Sequence, residues 1–154
     1  MDEMAARRAF EYALATQEPD FGKFFLARLY GCDFQYTGEE CRVTFEIRDF
    51  MHNPQGTLHG GVIAFVMDIA MGHLLRHAAG PGATLELKVQ YLKAPRHGKM
   101  TCTGRFLRKG RGVSFLRADL TDADGELYAF ATSTWKLLPE RRHPPTDGPK
   151  SDAA

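Results

Sequence analysis

The chain has little that would direct it to a nucleic acid or a membrane. Its 154 residues carry a formal net charge of +1, so no global electrostatic attraction to a polyanion is expected. No segment is expected to supply the roughly 18–20 consecutive apolar residues that span a bilayer. The opening Met1-Asp2-Glu3 lacks the basic start and apolar block of a secretory signal. We therefore expect a cytoplasmic protein.

Cysteine is also scarce. The chain has three cysteines, Cys32, Cys41 and Cys102, with no C-x-x-C spacing. They predict small core residues in a reducing compartment, not a disulfide framework or a zinc site. His73 and His77 are four residues apart, as metal-binding pairs are, but they lack a third ligand at a suitable spacing. No metal site is expected.

What is present is the composition of an ordinary globular domain, with 44% hydrophobic and 25% charged residues. Helical patterns cover residues 2–17, 20–30 and 58–78. Alternating patterns predict two strands before the long helix and a meander of four after it, at residues 32–36, 41–47, 84–92, 100–108, 112–120 and 127–137. This order predicts an α+β fold in which an antiparallel sheet wraps around the long central helix.

The chain divides into three parts on this pattern. Residues 1–20 form an N-terminal helical extension, and residues 21–138 form the main domain. Residues 139–154 are rich in proline and poor in large apolar side chains, which predicts a disordered tail.

A carboxylate in the long apolar helix raises the question of a site. Asp68 lies in its middle, and aspartate is rarely fully buried without a partner. His59 begins the same helix, nine residues earlier, which is about 13.5 Å along the axis and on roughly the opposite side. The two side chains therefore cannot converge on one substrate atom within one chain. If both take part in a reaction, a two-fold dimer must supply one of them.

The start of the helix suits a developing negative charge. Its first amides lack internal partners, and the helix dipole is positive there. Gly60 and Gly61 have no Cβ, so a ligand can approach their backbone. A carbonyl oxygen held at the Gly60 N–H would be stabilised as an oxyanion, while Asp68 of the partner acts on the carbonyl carbon or activates water. Taken singly, these residues equally fit packing glycines, a capping histidine and a hydrogen-bonded aspartate. Their combination predicts an acyl-transfer site. We expect Asp68 to be ionised at neutral pH, because the positive end of the partner's helix offsets enough of the effect of burial.

The same residues form a recognisable motif. Asn53-x-x-Gly56-x-x-His59-Gly60-Gly61, followed by Asp68 on a helix, resembles the motif of hotdog-fold acyl-CoA thioesterases of the PaaI type. The similarity continues through TLELKVQYLKAP and GRFLRKGRGVSFLRADLTDADGELYAFATSTW, so it covers about residues 21–138. It implies a hotdog fold, hydrolysis of aryl- or medium-chain acyl-CoA, and a homodimer or homotetramer. Coenzyme A is then part of the substrate and no separate cofactor is implied, nor is a nucleic-acid or membrane partner.

The resemblance also implies a role for each residue of the motif. The Gly60 N–H polarises the thioester carbonyl, and His59 places the thioester. Asn53 holds the thioester or the attacking water. Asp68 of the opposite subunit is the nucleophile or the general base, and Thr84 positions water near that acid.

Coenzyme A needs a cationic rim for its phosphates. Arg96, Lys109 and Arg111 lie in predicted turns and are expected near one mouth of the sheet. Lys109-Gly110-Arg111 pairs charge with exposed amides, which suits a phosphate cradle as well as a solvated hairpin tip. Gly61 and Tyr91 complete the predicted substrate contacts. Several apolar residues fit either an acyl pocket or the core: Phe65, Met67, Met71 and the phenylalanines before Gly31.

Two other functions fit the same fold. One is a hydroxyacyl-thioester dehydratase, whose sites use a longer His-to-acid spacing and a Pro-Gly-rich loop that this sequence lacks. The other is a hotdog protein that binds acyl-CoA without turnover. A carrier-protein thioester is an alternative to acyl-CoA as substrate.

Overall fold

Six strands form one antiparallel sheet around a central helix. The computed structural model describes residues 1–139. Its helices are α1 (Glu3–Thr16), α2 (Phe25–Leu29) and α3 (Gly60–Ala79), with a short 3-10 helix at Asp49–Met51. Its strands are β1 (Asp33–Thr37), β2 (Glu40–Glu46), β3 (Gly82–Tyr91), β4 (Lys99–Arg108), β5 (Val113–Thr121) and β6 (Leu127–Leu137). The predicted α+β arrangement is confirmed. Each predicted helix and strand is present, although the helix predicted at 20–30 is formed only at Phe25–Leu29. The predicted tail at 139–154 lies almost wholly outside the described residues.

The helix α3 is the core of the molecule. Val66, Met67, Ala70, Met71 and Leu74 are fully buried against the concave face of the sheet. The helix ends at Gly80, whose φ of 107° is one that residues with a Cβ rarely adopt. A helix that is buried on several faces needs apolar residues on nearly every face, and α3 has them.

That same composition corrects one expectation. The helix Gly60–Ala79 has 20 residues and a mean hydropathy of 1.3 in its most apolar window, so by length and composition it could cross a membrane. The expectation that no segment would meet this test is therefore wrong. More than half of that window is buried inside the protein, which is the position of a core helix.

The strand order corrects the predicted meander. The order across the sheet is β1-β2-β4-β5-β6-β3, so β4, β5 and β6 are consecutive neighbours but β3 is not beside β4. Instead β3 crosses to the far edge and pairs with β6 alone. Alternating polarity identifies a strand but carries no information about its neighbour, because both faces of β3 would look the same in either place.

The N-terminal segment packs onto the helical side. Asp2 caps α1 by accepting a hydrogen bond from the Ala5 N–H at 2.9 Å. Ala9 and Ala13 form its buried face, and the Phe10 ring meets Phe25 of α2 edge-on at 5.5 Å between centroids.

The cysteines are core residues, as predicted. Cys32, Cys41 and Cys102 are all buried free thiols. Burial raises the pKa of Cys32 and of Cys41 to about 12, so neither carries a thiolate at neutral pH.

Candidate active site

The loop before α3 is organised by Asn53. Its Oδ1 accepts hydrogen bonds from the Gln55 N–H at 3.0 Å and the Thr57 N–H at 3.1 Å, and its Nδ2 donates to Thr57 Oγ1 at 2.9 Å. Gly56 takes a φ of 71° within this turn. The structure thus places the Asn53 side chain on its own loop, where it fixes the approach to α3. This arrangement accounts for Asn53 and Gly56 without a contact to substrate.

His59 is the cap of α3, and this fixes its tautomer. Its Nδ1 accepts a hydrogen bond from the Gly61 N–H at 2.8 Å, so in the neutral ring the proton is on Nε2. The His59 side chain is exposed. It therefore presents an N–H donor at the helix start and has no free lone pair with which to act as a base.

The Gly60 amide is uncommitted. Within the described residues, the Gly60 N–H has no hydrogen-bond acceptor, whereas the amides of Gly61, Val62 and Ile63 are all bound to His59. Tyr91 packs over this position: its hydroxyl donates to the Gly60 carbonyl oxygen at 3.0 Å. A Cβ on Gly60 would lie 3.3 Å from the Tyr91 ring. The free N–H and the positive helix end are chemically suited to binding a carbonyl oxygen.

Asp68 has its partner on the edge strand β3. The Thr84 hydroxyl donates to Asp68 Oδ1 at 2.9 Å. Thr84 pairs with Trp135 of β6, so the two side chains share the face that is turned to α3. The register of β3 shifts between Thr84 and Glu86, a bulge of the kind that redirects side chains. Within one chain, Thr84 thus contacts the acid directly, whereas its predicted role in positioning water stays a prediction.

Opposing effects act on the Asp68 carboxyl. Partial burial raises its pKa above the usual range, and the Thr84 hydrogen bond lowers it. Burial is the larger effect. A carboxyl with a raised pKa is a better proton acceptor once ionised, which suits a general base.

One chain brings the predicted residues together in two separate groups. Asp68 lies with Thr84, and Gly60 lies with His59 and Tyr91. Gly60 and Asp68 are eight residues apart on the same helix, which is about 12 Å along its axis. Within one chain these two groups are therefore too far apart to act on the same substrate atom, and the shared site stays a prediction.

The predicted cationic rim is wrong for a single chain. Arg96 lies at the start of α3, where its Nη1 is 3.3 Å from the Gln55 and Gly56 carbonyl oxygens. Lys109 lies at the other end, where its Nζ donates to the Ala78 carbonyl oxygen at 2.8 Å. The reason is that the turns before and after β4 are at opposite ends of that strand. Arg111 is exposed and lies with Lys109 in the turn between β4 and β5.

The predicted phosphate cradle also needs correction. The Gly110 N–H already donates to Ser114 Oγ at 3.1 Å. A Cβ on Gly110 would lie only 2.0 Å from the Val113 carbonyl oxygen, so this glycine is required for the close turn. Its amide is a turn contact and not a free anion donor.

A cavity of about 380 Å³ adjoins Asp68. Its wall combines α3, the end of β6 and the segment before α2: Pro19, Asp20, Phe21, Phe24, Asp68, Ile69, Gly72, His73 and Trp135. Of the apolar residues predicted from the sequence, Phe21 and Phe24 line it, whereas Met67 and Met71 are core. Phe65 packs on Phe24 and Tyr30. Ile69, Gly72 and Trp135 were missed, and the glycine within α3 was the available signal for a close approach.

His73 has a structural position in this wall. Its ring stacks on Phe34 at 3.9 Å, and its Nδ1 is 2.9 Å from the Tyr36 hydroxyl. Burial lowers the pKa of His73 to about 4, so the ring is neutral near pH 7. His77 stacks on Tyr36 at 4.5 Å. The two histidines are thus accounted for by aromatic packing.

Comparison with known proteins points to one family. Residues 55–129 match the thioesterase superfamily. The medium/long-chain acyl-CoA thioesterase YigI of Salmonella typhimurium is 33% identical over 99 residues, which cover 54% of this chain and 64% of that protein. The match therefore spans less than two thirds of that relative. YigI of Escherichia coli is 29% identical over 121 residues, covering 67% of this chain and 78% of that protein.

A solved structure gives the same fold. The BH2602 protein of Bacillus halodurans, crystallised with CoA, superposes with a TM-score of 0.81 and 21% identity, over 91% of this chain and 95% of that one. At this identity the similarity speaks for the fold alone. With the sheet wrapped around α3, the chain has the hotdog fold, and its residues 55–129 match the thioesterase superfamily.

Proposed function

We propose that the protein hydrolyses acyl-CoA thioesters in a site shared between two subunits. The observation that carries the proposal is the pairing of Asp68 with Thr84 beside a cavity, together with the uncommitted Gly60 N–H. These supply an acid and an oxyanion donor, which are the two groups that acyl transfer needs. Among the relatives, YigI is named a medium/long-chain acyl-CoA thioesterase, and this supports the substrate class.

The reaction follows from the placement of these groups. The thioester carbonyl oxygen accepts a hydrogen bond from the Gly60 N–H. Asp68 takes a proton from water, whose oxygen attacks the carbonyl carbon and gives a tetrahedral oxyanion held at that amide. Collapse of the intermediate breaks the carbon–sulfur bond, and the coenzyme A thiolate leaves and takes up a proton. The products are the free acid and coenzyme A.

Asp68 can also act as the nucleophile. Its carboxylate would then form a mixed anhydride with the acyl group and release coenzyme A before water hydrolyses the anhydride. The Thr84 hydrogen bond occupies Oδ1 and leaves Oδ2 for either role. Trapping with hydroxylamine distinguishes the two when Asp68→Asn serves as the control for the direct reaction of hydroxylamine with the thioester. Only the anhydride route gives acyl hydroxamate above that background in a single turnover.

His59 serves in this proposal as a positioning group. Because its Nδ1 accepts from the Gly61 N–H, its Nε2–H is available to donate to the bound thioester. It also holds the first turn of α3, and with it the direction of the Gly60 N–H. Asn53 supports this turn from the preceding loop.

The edge strand supports a second copy as the source of the missing group. Among residues 1–139, β3 has a neighbouring strand on one side only, and Leu85 at its bulge is 59% exposed. An exposed apolar edge strand is suited to pairing with another chain. Two-fold pairing along β3 would place a partner next to Thr84, and so next to Asp68. We therefore propose a homodimer as the smallest active unit.

The proposal is tested by the release of free thiol from a panel of acyl-CoA thioesters. Wild type should release coenzyme A, and Asp68→Asn and Asp68→Ala should lower kcat by about 1,000-fold or more, as removal of an essential base or nucleophile does. Asp124→Asn is the matched control, because Asp124 is an exposed carboxylate in the β5–β6 turn. It should keep wild-type turnover.

The same panel separates the alternative functions. Hydration of an enoyl thioester without thiol release would indicate a dehydratase. Tight binding of acyl-CoA without turnover would indicate a binding protein. Thiol release that is unaffected by Asp68→Ala would refute the proposed role of this residue.

A further inference from the structure

Two separate parts of the chain form the walls of the cavity beside Asp68. One side is α3, with Asp68, Ile69 and Gly72. The other side is the segment Pro19–Phe24, with Phe21 and Phe24. This segment precedes the family match, which begins at residue 55. The cavity is thus completed by a part of the chain that lies outside the matched region.

We propose that this cavity holds the acyl chain of the thioester, and that Phe21 and Phe24 set the chain length it accepts. The inference rests on the proposed function. Its volume of about 380 Å³ is more than twice that of an engineered cavity of about 150 Å³ that holds a benzene molecule. An acyl chain of medium length fits such a space, with its thioester carbonyl at Asp68.

The wall of the cavity suits an uncharged acyl chain. Trp135 lies against α3 where Gly72 has no side chain, and a Cβ there would be 2.7 Å from the indole ring. His73 is neutral near pH 7, because burial lowers its pKa to about 4. Apart from Asp68, the carboxylate on the wall is Asp20, whose Oδ1 accepts from the Gly22 N–H at 2.9 Å.

Phe21 and Phe24 close the cavity in different ways. Phe24 packs edge-on against Phe65 of α3, with 6.1 Å between centroids. Phe21 lies between this cavity and a second one of about 500 Å³, and it lines both. The Arg76 guanidinium lies 5.0 Å from the centroid of the Phe21 ring. On the wall of the second cavity the basic residues Lys23, Arg28 and Arg76 outnumber the acidic residues Asp20 and Asp33.

Truncating either phenylalanine should therefore lengthen the preferred chain. The experiment measures kcat/KM for saturated acyl-CoA thioesters from short to long, with each variant normalised to its own best substrate. In Phe21→Ala and in Phe24→Ala, the ratio of long-chain to medium-chain kcat/KM should rise about tenfold, since one methylene in an apolar pocket changes discrimination by roughly 10- to 200-fold. Normalisation removes any loss of folded protein from the result.

Phe10→Ala is the matched control. Phe10 and Phe21 are both 48% exposed, but Phe10 belongs to α1 and packs against Phe25 of α2, away from the cavity beside Asp68. Phe10→Ala should keep the wild-type chain-length profile. Phe24→Trp should shift the profile in the opposite direction, to shorter chains, because it fills the space that Phe24→Ala opens.

A second readout is specific to Phe21. Phe21→Ala joins the apolar cavity to the second one, whose wall includes Arg28 and Arg76, so acyl chains that end in a carboxylate should gain about tenfold over plain chains of equal length, as expected for a new charge-assisted hydrogen bond. Phe24→Ala should give no such gain. Equal ratios in the two variants would refute the separating role of Phe21.

The outcomes separate this inference from the proposed function. If no acyl-CoA is hydrolysed, or if hydrolysis does not depend on Asp68, the proposed function fails. If hydrolysis depends on Asp68 but Phe21→Ala, Phe24→Ala and Phe10→Ala share one chain-length profile, the acyl-chain assignment alone fails.

Discussion

The hydrogen bond from Thr84 to Asp68 has a consequence for the pH dependence of catalysis. Thr84→Val removes the hydroxyl and keeps the shape of the side chain. This hydrogen bond lowers the pKa of Asp68 against the effect of burial, so the variant needs a higher pH to ionise the carboxylate. A hydrogen bond to a charged group contributes about 1.5–3 kcal/mol. Because Thr84 is exposed, we expect the lower end, which corresponds to about tenfold in an equilibrium constant.

The assay is the pH profile of kcat/KM by thiol release. On the acid side, where Asp68 is mostly protonated in both proteins, Thr84→Val should be about tenfold slower than wild type. At a pH high enough to ionise Asp68 in both, the two should converge. Thr134→Val is the matched control, since the Thr134 hydroxyl lies 3.5 Å from a different carboxylate, that of Glu86, and its profile should follow wild type. A loss of equal size at every pH would refute the reasoning, because it would show that Thr84 does not act through the protonation of Asp68.

Three further predictions concern stability. Asp68→Asn should raise Tm at neutral pH, because burial raises the folded-state pKa of Asp68 and the ionised form is therefore disfavoured by folding; the gain should shrink as pH falls through that pKa. His73→Gln should lose less free energy of unfolding than wild type as the pH falls. Folding lowers the His73 pKa from 6.5 to about 4, so between these two pH values the unfolded state binds the proton and the folded state does not. Asn53→Ala should reduce the free energy of unfolding by about 1–3 kcal/mol, and Asn53→Asp, which keeps both bonds accepted by Oδ1, should lie between it and wild type.

Each of these has a direct readout. Thermal unfolding of wild type and Asp68→Asn across a pH series tests the first, and a Tm for Asp68→Asn below that of wild type at neutral pH would contradict it. Urea unfolding at pH 7 and pH 5 tests the second; parallel losses in wild type and His73→Gln would count against it. Urea unfolding also tests the third prediction. If Asn53→Ala were as stable as wild type, the loop hydrogen bonds would contribute nothing to the free energy of unfolding.

The sequence located the central elements because their signals are local. The glycines and the histidine at the start of α3 follow from helix-end chemistry, and the apolar run from Val62 to Leu75 follows from burial on most faces. The family resemblance implies a hydroxyl at Thr84 near the acid, but the sequence does not pair Thr84 with Asp68, since the two are 16 residues apart and lie on different elements. Local patterns do not determine which distant hydroxyl meets a carboxylate.

The errors are all matters of position in space. β3 lies beside β6 and not β4, and no feature of its alternating side chains favours either neighbour. Arg96 and Lys109 were expected at one mouth, yet they lie near opposite ends of α3. This second error was avoidable, because successive turns of an antiparallel sheet lie at alternate ends.

The cavity shows a further limit of sequence reasoning. The sequence predicts that Phe21 and Phe24 line either an acyl pocket or the core, and it does not distinguish between the two. The choice depends on how the segment before α2 lies across α3, which is decided by packing of Phe24 on Phe65 and of Arg76 on Phe21. Contacts of this kind between distant parts of a chain have no periodic signature.

The most direct test of the shared site is complementation between two inactive variants. His59→Ala and Asp68→Ala proteins should each be nearly inactive alone. When they are co-expressed and pair at random, half of the dimers are hybrids with one intact site each, so about one quarter of wild-type turnover should return. No recovery in verified hybrid dimers, or full activity in a strictly monomeric protein, would contradict the account.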